Sequence, residues 1–251
     1  MGKSDYRKRF FERYITTHVE YAEKISQKSF DITAKIFQKH ISRFLPDDKS
    51  ASILDIACGE GHLLHYFQNQ GYYKAQGIDL GSEQLKVARK MGVKNIEQAD
   101  LFQYLKKYKD YFDLVTAFQI IEHLKKDEAV ESLDLIYRSL KPGGKVLLST
   151  PNAITLGGLW ASFGDFTHEL MFTPRSLSQL LRVCGFLDVK IFGFEPVAHD
   201  LRSTIRIILW KVLKAILKFW FIIERGTGRS IWKSEPIFEG IILAVGEKKW
   251  I

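Results

Sequence analysis

The chain has 251 residues, 46% of them hydrophobic, and a formal net charge of +8. That length and composition suit one large domain with a filled core, and two cysteines, Cys58 and Cys184, exclude a disulfide scaffold. The basicity is uneven: residues 202–233 hold eight Lys and Arg against one Glu, residues 1–50 hold eleven against seven acids, and the stretch between is slightly acidic.

The amino terminus is charged throughout and lacks the apolar run of a secretory signal, and Tyr6 stands where a myristoylation pattern wants Ser or Thr. Residues 5–45 show helical periodicity without Gly or Pro and stop at Leu45-Pro46-Asp47-Asp48, which predicts an amino-terminal helical cap over residues 1–46.

From residue 50 the rhythm changes. Short apolar runs at 53–57, 75–80, 93–98, 112–118 and 145–150 read as strands, separated by helical segments at 62–69, 82–91 and 128–140. Strands alternating with helices at this spacing predict a doubly wound α/β fold with a parallel, Rossmann-like sheet. Residues 151–173 read as a long loop, and Thr173-Pro174 opens a helix to residue 183. Strands at 186–194 and 237–245 complete seven, with an apolar, basic helical insert over 200–235 before the last; residues 50–251 are thus expected to form one domain.

The first strand and its loop read I-L-D-I-A-C-G-E-G-H-L over residues 53–63. A Gly-rich turn from strand to helix lets backbone N–H groups and the helix's positive end approach a ligand. A dinucleotide fingerprint wants Gly or Ala where this chain has Leu64, and Asp55 puts an acid in a strand that would carry small residues there. Asp79, ending the second strand in G-I-D-L, is suited to accept from both ribose hydroxyls.

With these motifs in order, the chain resembles the class I methyltransferases, and among them the small-molecule enzymes that include the ubiquinone-pathway O-methyltransferases. The resemblance spans about residues 50–190: D-I-A-C-G-E-G as the first motif, with Ala57 where Gly is commoner, then G-I-D-L, Asp100-Leu101, F-D-L-V-T-A-F-Q-I-I-E-H-L over 112–124, and L-K-P-G-G-K-V-L-L-S-T-P-N over 140–152. It implies that S-adenosylmethionine is held by Asp55, Ala57, Gly59, Gly61, Asp79, Leu80, Asp100, Leu101, Phe118 and Gln119, with the Asp100 carboxylate accepting from the adenine amine.

It also places Glu122 and His123 beside the reactive methyl, and His168, in D-F-T-H-E-L-M-F-T-P, as the first candidate for a base. An imidazole titrates near neutrality and can take a proton from a hydroxyl. Glu122, Asp165, His168 and Glu169 are hard ligands, but their spacing carries no ligand signature, so no metal is expected. The D/N-P-P-Y run of nucleic-acid amino-methylases is absent after the fourth strand, where the chain reads Phe118-Gln119-Ile120-Ile121, so no nucleic-acid partner is expected.

Residues 201–223 read L-R-S-T-I-R-I-I-L-W-K-V-L-K-A-I-L-K-F-W-F-I-I. On a helical wheel Ile205, Ile208, Leu209, Val212, Ala215, Ile216, Phe219 and Ile223 form one wide face. Lys211, Lys214 and Lys218 gather opposite, with Trp210, Leu217 and Phe221 intruding among them. Cations interleaved with aromatics suit an interfacial helix on an anionic membrane, through residues 201–233. Packing on the amino-terminal helices or in a homodimer is the competing use. The combined expectation is a cytoplasmic O-methyltransferase, peripheral on the inner membrane face, with a lipid-linked or envelope glycan as the first acceptor and a polyprenylated phenol as the alternative. A non-catalytic, cofactor-binding scaffold subunit is the rival of another class.

Overall fold

The structure is a computed structural model that describes Phe10, residues 26–225 and residues 236–250. Most of the amino-terminal cap before residue 26, and residues 226–233 of the basic insert, lie outside the described residues. What is described of the cap is helix α1 (Gln27–His40), capped by Ser26, followed by a 3-10 turn at Ser42–Phe44.

Seven strands form one sheet: β1 (Ile53–Ile56), β2 (Gln76–Asp79), β3 (Ile96–Gln98), β4 (Phe112–Phe118), β5 (Leu140–Pro151), β6 (Leu187–Gly193) and β7 (Ile241–Glu247). Their spatial order is β3-β2-β1-β4-β5-β7-β6, parallel except that β7 runs antiparallel to both β5 and β6. The helices between are α2 (His62–Asn69), α3 (Ser82–Lys90), α4 (Leu101–Leu105), α5 (Lys126–Ser139), α6 (Leu156–Gly164), α7 (Pro174–Val183) and α8 (Leu201–Arg225). Parallel strands need crossovers, and both faces of the sheet are therefore covered.

Alternate strand residues supply two cores. Leu54, Val115, Leu148 and Ala244 face α5 and α7, while Ile53, Leu114, Leu147 and Leu243 face α1 and α2. The continuous burial of β1 follows, since both sides of Ile53–Ile56 are packed.

The structure departs from the expected elements in a few places. Residues 151–173 are not one loop, because α6 lies within them; Gly157 and Gly158 lower helix propensity and hid it. Thr155 Oγ1 accepts from Gly158 N at 2.9 Å, and a Cβ on Gly158 would come within 1.9 Å of the Asn152 carbonyl oxygen. The glycine thus permits the close approach that starts the helix. The last strand is Ile241–Glu247, not residues 237–245, and β5 begins at Leu140, so the Pro142-Gly143-Gly144 turn belongs to the strand's irregular start. Thr173 and Pro174 do open α7, with Thr173 Oγ1 accepting from Ser176 N at 3.1 Å.

The basic insert is the 25-residue helix α8, and the side read as polar is the side that meets the body. Trp210, Leu217 and Phe221, the residues that intruded on the polar face, point at the body: Phe221 meets Phe238 edge-on with ring centroids 6.1 Å apart. Lys214 is on that inward side too, with Nζ 2.8 Å from Glu239 Oε1 and 3.0 Å from Glu195 Oε1. The wide apolar face is exposed, Leu209 at 64% and Phe219 at 65%. No helix among the described residues is long and apolar enough to cross a membrane.

Candidate active site

A cavity of about 1540 Å³ opens at the carboxyl ends of β1, β2, β4 and β5, between α1, α6 and α8. That edge is where open α/β sheets bind ligands. Its floor is the loop after β1. Ala57 and Gly59 both take left-handed backbone, φ 55° and 54°, which bends the loop sharply along the cavity floor. Ala57 therefore carries a cost of about 1–2 kcal/mol that Gly would not, from its Cβ crowding the backbone carbonyl. A Cβ on Gly59 would meet no atom within 4 Å, so the space above this backbone is open to a ligand. Gly61 does not line the cavity. At φ 81°, a Cβ there would sit 3.0–3.2 Å from Val93 and Ala88, so that glycine lets the start of α2 pack closely on α3 and the loop that follows it.

Asp79 is the acid that organises the floor. Its Oδ2 accepts from Gly59 N at 2.8 Å and its Oδ1 from Gly81 N at 2.6 Å. Each oxygen keeps a further lone pair, which suits two ribose hydroxyls. Burial holds the Asp79 carboxyl above the usual carboxylate range, against the Gly81 and Gly59 N–H bonds that favour the charged form. Asp55, opposite Thr116 in the β1–β4 register, accepts from Thr116 Oγ1 at 2.7 Å and is pushed up to about 7 by burial. Two buried carboxyls around an open backbone cradle favour a cationic ligand, and a sulfonium with an amino group fits that preference.

Leu80, Leu101, Phe118 and Gln119 also line the cavity, but Asp100 does not. Its Oδ1 accepts from Gln103 N at 3.0 Å and so caps α4, leaving Ala99 and Leu101 as the wall. Sequence reasoning missed α1 and His62 at the other end of the cavity. His62 stacks on Phe30 at 4.0 Å between centroids and is pushed down to about 4 by burial, which keeps the ring neutral.

The candidate catalytic residues come together through a loop contact. Glu122 O accepts from Glu169 N and Leu170 N at 2.8 and 3.0 Å, which docks the residues after α6 onto the turn after β4. His123 Nδ1 lies 2.8 Å from Thr167 Oγ1, whose hydroxyl donates to Asp165 Oδ1 at 2.7 Å. The Thr167 proton is thereby committed to Asp165, so His123 Nδ1 is the donor and the basic nitrogen of the neutral ring is Nε2. His123 lines the cavity; His168 and Glu122 do not. His168 donates from Nδ1 to Ser162 O at 2.9 Å and packs edge-on against His123 at 4.5 Å. His168, first in the sequence reading, therefore stands behind His123.

Glu122 is fully buried and pushed up to about 8 by that burial. The Gln119 amide, turned to satisfy both its ends, donates to Glu122 Oε1 at 3.2 Å. Glu122, His123 and His168 each bring a potential ligand atom within 4.8 Å of the others, so this trio is where a divalent cation would fit among the described residues. Its members are joined by tertiary contact, which is why their spacing showed no ligand signature.

The half of the cavity between α6 and α8 is mostly apolar, lined by Ile154 and Leu159 on one side and by Trp210, Leu213, Leu217 and Trp220 of α8 on the other, with Glu195, Arg206 and Glu239 among them.

Comparisons agree with this geometry. Residues 28–191 match the family model described as "Methyltransferase domain". The chain is similar to the ubiquinone biosynthesis O-methyltransferase of Aeromonas salmonicida, 29% identical over 168 residues, which are 60% of this chain and 69% of that protein. In fold it is similar to an S-adenosylmethionine-dependent methyltransferase from Archaeoglobus fulgidus, with TM-score 0.64, 24% identity, and coverage of 88% of this chain and 97% of that one. It is likewise similar to phosphoethanolamine N-methyltransferase 2 of Haemonchus contortus in complex with S-adenosyl-L-methionine, with TM-score 0.60, 19% identity, and coverage of 95% and 60%. A family match over well over half the chain, on a site built for a cationic nucleoside, settles the class: the chain belongs to the methyltransferase domain family and is an S-adenosylmethionine-dependent enzyme.

Proposed function

We propose that this enzyme methylates a phenolic oxygen of a prenylated, amphiphilic acceptor, working as a peripheral protein on the cytoplasmic membrane face. The observation that carries the reading is the cavity mouth between α6 and α8. Both helices line the apolar half of the cavity, and both turn Leu156, Trp160, Phe163, Leu209, Ile216 and Phe219 outward to solvent beside it. An acceptor with a long apolar chain can pass from a bilayer into such a cavity without crossing water. The eight Lys and Arg of residues 202–233 complement anionic lipid, although Lys214 is taken up by Glu195 and Glu239. The ubiquinone-pathway relatives support the prenylated phenol over the lipid-linked glycan, for which no relative here speaks.

The sulfonium of the cofactor supplies a methyl carbon primed for in-line displacement. The chain's own part is to hold the phenol in line with that carbon and to take its proton on His123 Nε2, with Thr167 and Asp165 orienting the ring.

The test is methyl transfer to a farnesylated catechol presented in vesicles. The wild-type protein should methylate it and sediment with anionic vesicles more than with neutral ones, only partly released by high salt. Replacing the outward Leu209, Ile216 and Phe219 with Gln should weaken sedimentation and make what remains fully releasable by high salt, while a short-chain catechol is still methylated. Absence of methylation of any catechol would overturn the acceptor. Failure to sediment would assign the outward faces to packing or to a homodimer.

A further inference from the structure

The inward stripe of α8 carries Arg206, Trp210 and Lys214, each one turn apart on the same face. Lys214 is satisfied by two carboxylates, Glu195 and Glu239. Its two neighbours are not satisfied. The indole N–H of Trp210 is buried and has no hydrogen-bond partner, although the ring lines the cavity. Arg206, exposed at the mouth, lines the same cavity and has no carboxylate within ion-pairing distance among the described residues. The two acids nearest along the stripe, Glu195 and Glu239, also line the cavity and are matched in charge by two lysines, Lys214 bridging both and Lys39 on Glu195. A buried N–H without an acceptor is unfavourable, and the guanidinium beside it on the same wall has no ion-pair partner among the described residues. Both deficits are met by one ligand group with negatively charged oxygens.

We propose that Arg206 and Trp210 form an anion-binding subsite for the acceptor itself, holding a carboxylate or phosphate that it carries alongside its apolar chain. The guanidinium supplies paired N–H donors, and the indole N–H, one turn deeper, supplies the inner one. The subsite selects an anionic amphiphile over a neutral one of the same chain length. It rests on the reading of the α6–α8 half of the cavity as the acceptor site, not on phenol chemistry.

The test is therefore a binding measurement that does not require turnover. Full-length protein loaded with S-adenosylhomocysteine is titrated calorimetrically with farnesyl phosphate and with farnesol, below the concentration at which either forms micelles. Wild type should prefer the phosphate by about tenfold or more, the scale of one charge-assisted pair. Arg206→Ala should reduce that preference to about twofold, Arg206→Lys should keep part of it, and Trp210→Phe should weaken phosphate binding while leaving farnesol binding in place. S-adenosylhomocysteine affinity should be the same in every variant, which shows that each is folded. Equal affinity of wild type for both probes, or a full preference in Arg206→Ala, overturns the proposal. A variant that loses anionic-vesicle binding while keeping its preference for farnesyl phosphate also overturns it, because the arginine then serves the bilayer. Failure of catechol methylation would remove the phenol reading and leave this measurement intact.

Discussion

Replacing Asp79 with Ala separates cofactor recognition from loop support, because this carboxylate does both. Its two oxygens each accept one backbone N–H, from Gly59 and Gly81, and each has a lone pair left for a ribose hydroxyl. A hydrogen bond to a charged acceptor contributes about 1.5–3 kcal/mol, so losing both ribose bonds should raise the Kd by about 10²–10⁴. The same substitution orphans the two N–H groups. Gly81 is buried and Gly59 only half so, and stability should drop by about 1–3 kcal/mol, mostly through Gly81. The assay is calorimetric titration of S-adenosylhomocysteine and its 2′,3′-dideoxy analogue into wild type and Asp79→Ala, with melting curves alongside. In the resulting cycle the variant should bind the two ligands nearly equally, whereas wild type should favour the hydroxylated one. Asp79→Asn should do no better than Ala, because one end of its amide presents N–H to a backbone N–H. If wild type binds both ligands alike, or the variant loses the same factor for both, Asp79 does not hold the ribose.

Two further outcomes follow from the buried groups. His123→Ala should lower kcat by about 10²–10⁴ with cofactor affinity unchanged, and His168→Ala should cost less, since His123 alone of the two lines the cavity. Equal losses would restore His168 to the chemistry, and a loss on chelation that a divalent cation reverses would make Glu122, His123 and His168 a metal site. Asp55 is raised from 3.8 to about 7 by burial, so the cofactor-free folded protein binds more protons than the unfolded chain between those values. Its stability should therefore fall as pH rises from about 4 to 7 and level off above. Urea unfolding at pH 5 and pH 8 should show a smaller fall for Asp55→Asn, whose amide oxygen can still accept from Thr116; an identical fall would place the carboxyl's ordinary titration in the folded state.

Much of the fold was legible because its determinants are local. Parallel strands buried on both sides read as short apolar runs, and β1, β2 and β4 begin or end within a residue or two of where periodicity puts them. The cofactor floor was legible for the same reason: the Gly59 loop and Asp79 lie at the ends of adjacent strands, so strand order alone brings them together. Helix α6 was not legible, since its glycines argue against a helix and only the contact with Asn152 explains Gly158.

The catalytic cluster and the turn of α8 belong to tertiary structure. His123 and His168 are 45 positions apart, and which of them meets the cavity depends on backbone bonds from Glu169 and Leu170 to Glu122 that no spacing encodes. The sequence of α8 is amphipathic around more than one axis, because apolar residues occupy most of its circumference. Periodicity picked the widest apolar face as the buried one in a membrane. What periodicity did not reveal is that the body captures the narrower stripe of Trp210, Lys214, Leu217 and Phe221. The reason is electrostatic as well as hydrophobic. Glu239 is only 7% exposed and needs a cation, Lys214 can reach it from only one rotation of the helix, and that rotation leaves the wide apolar face outward.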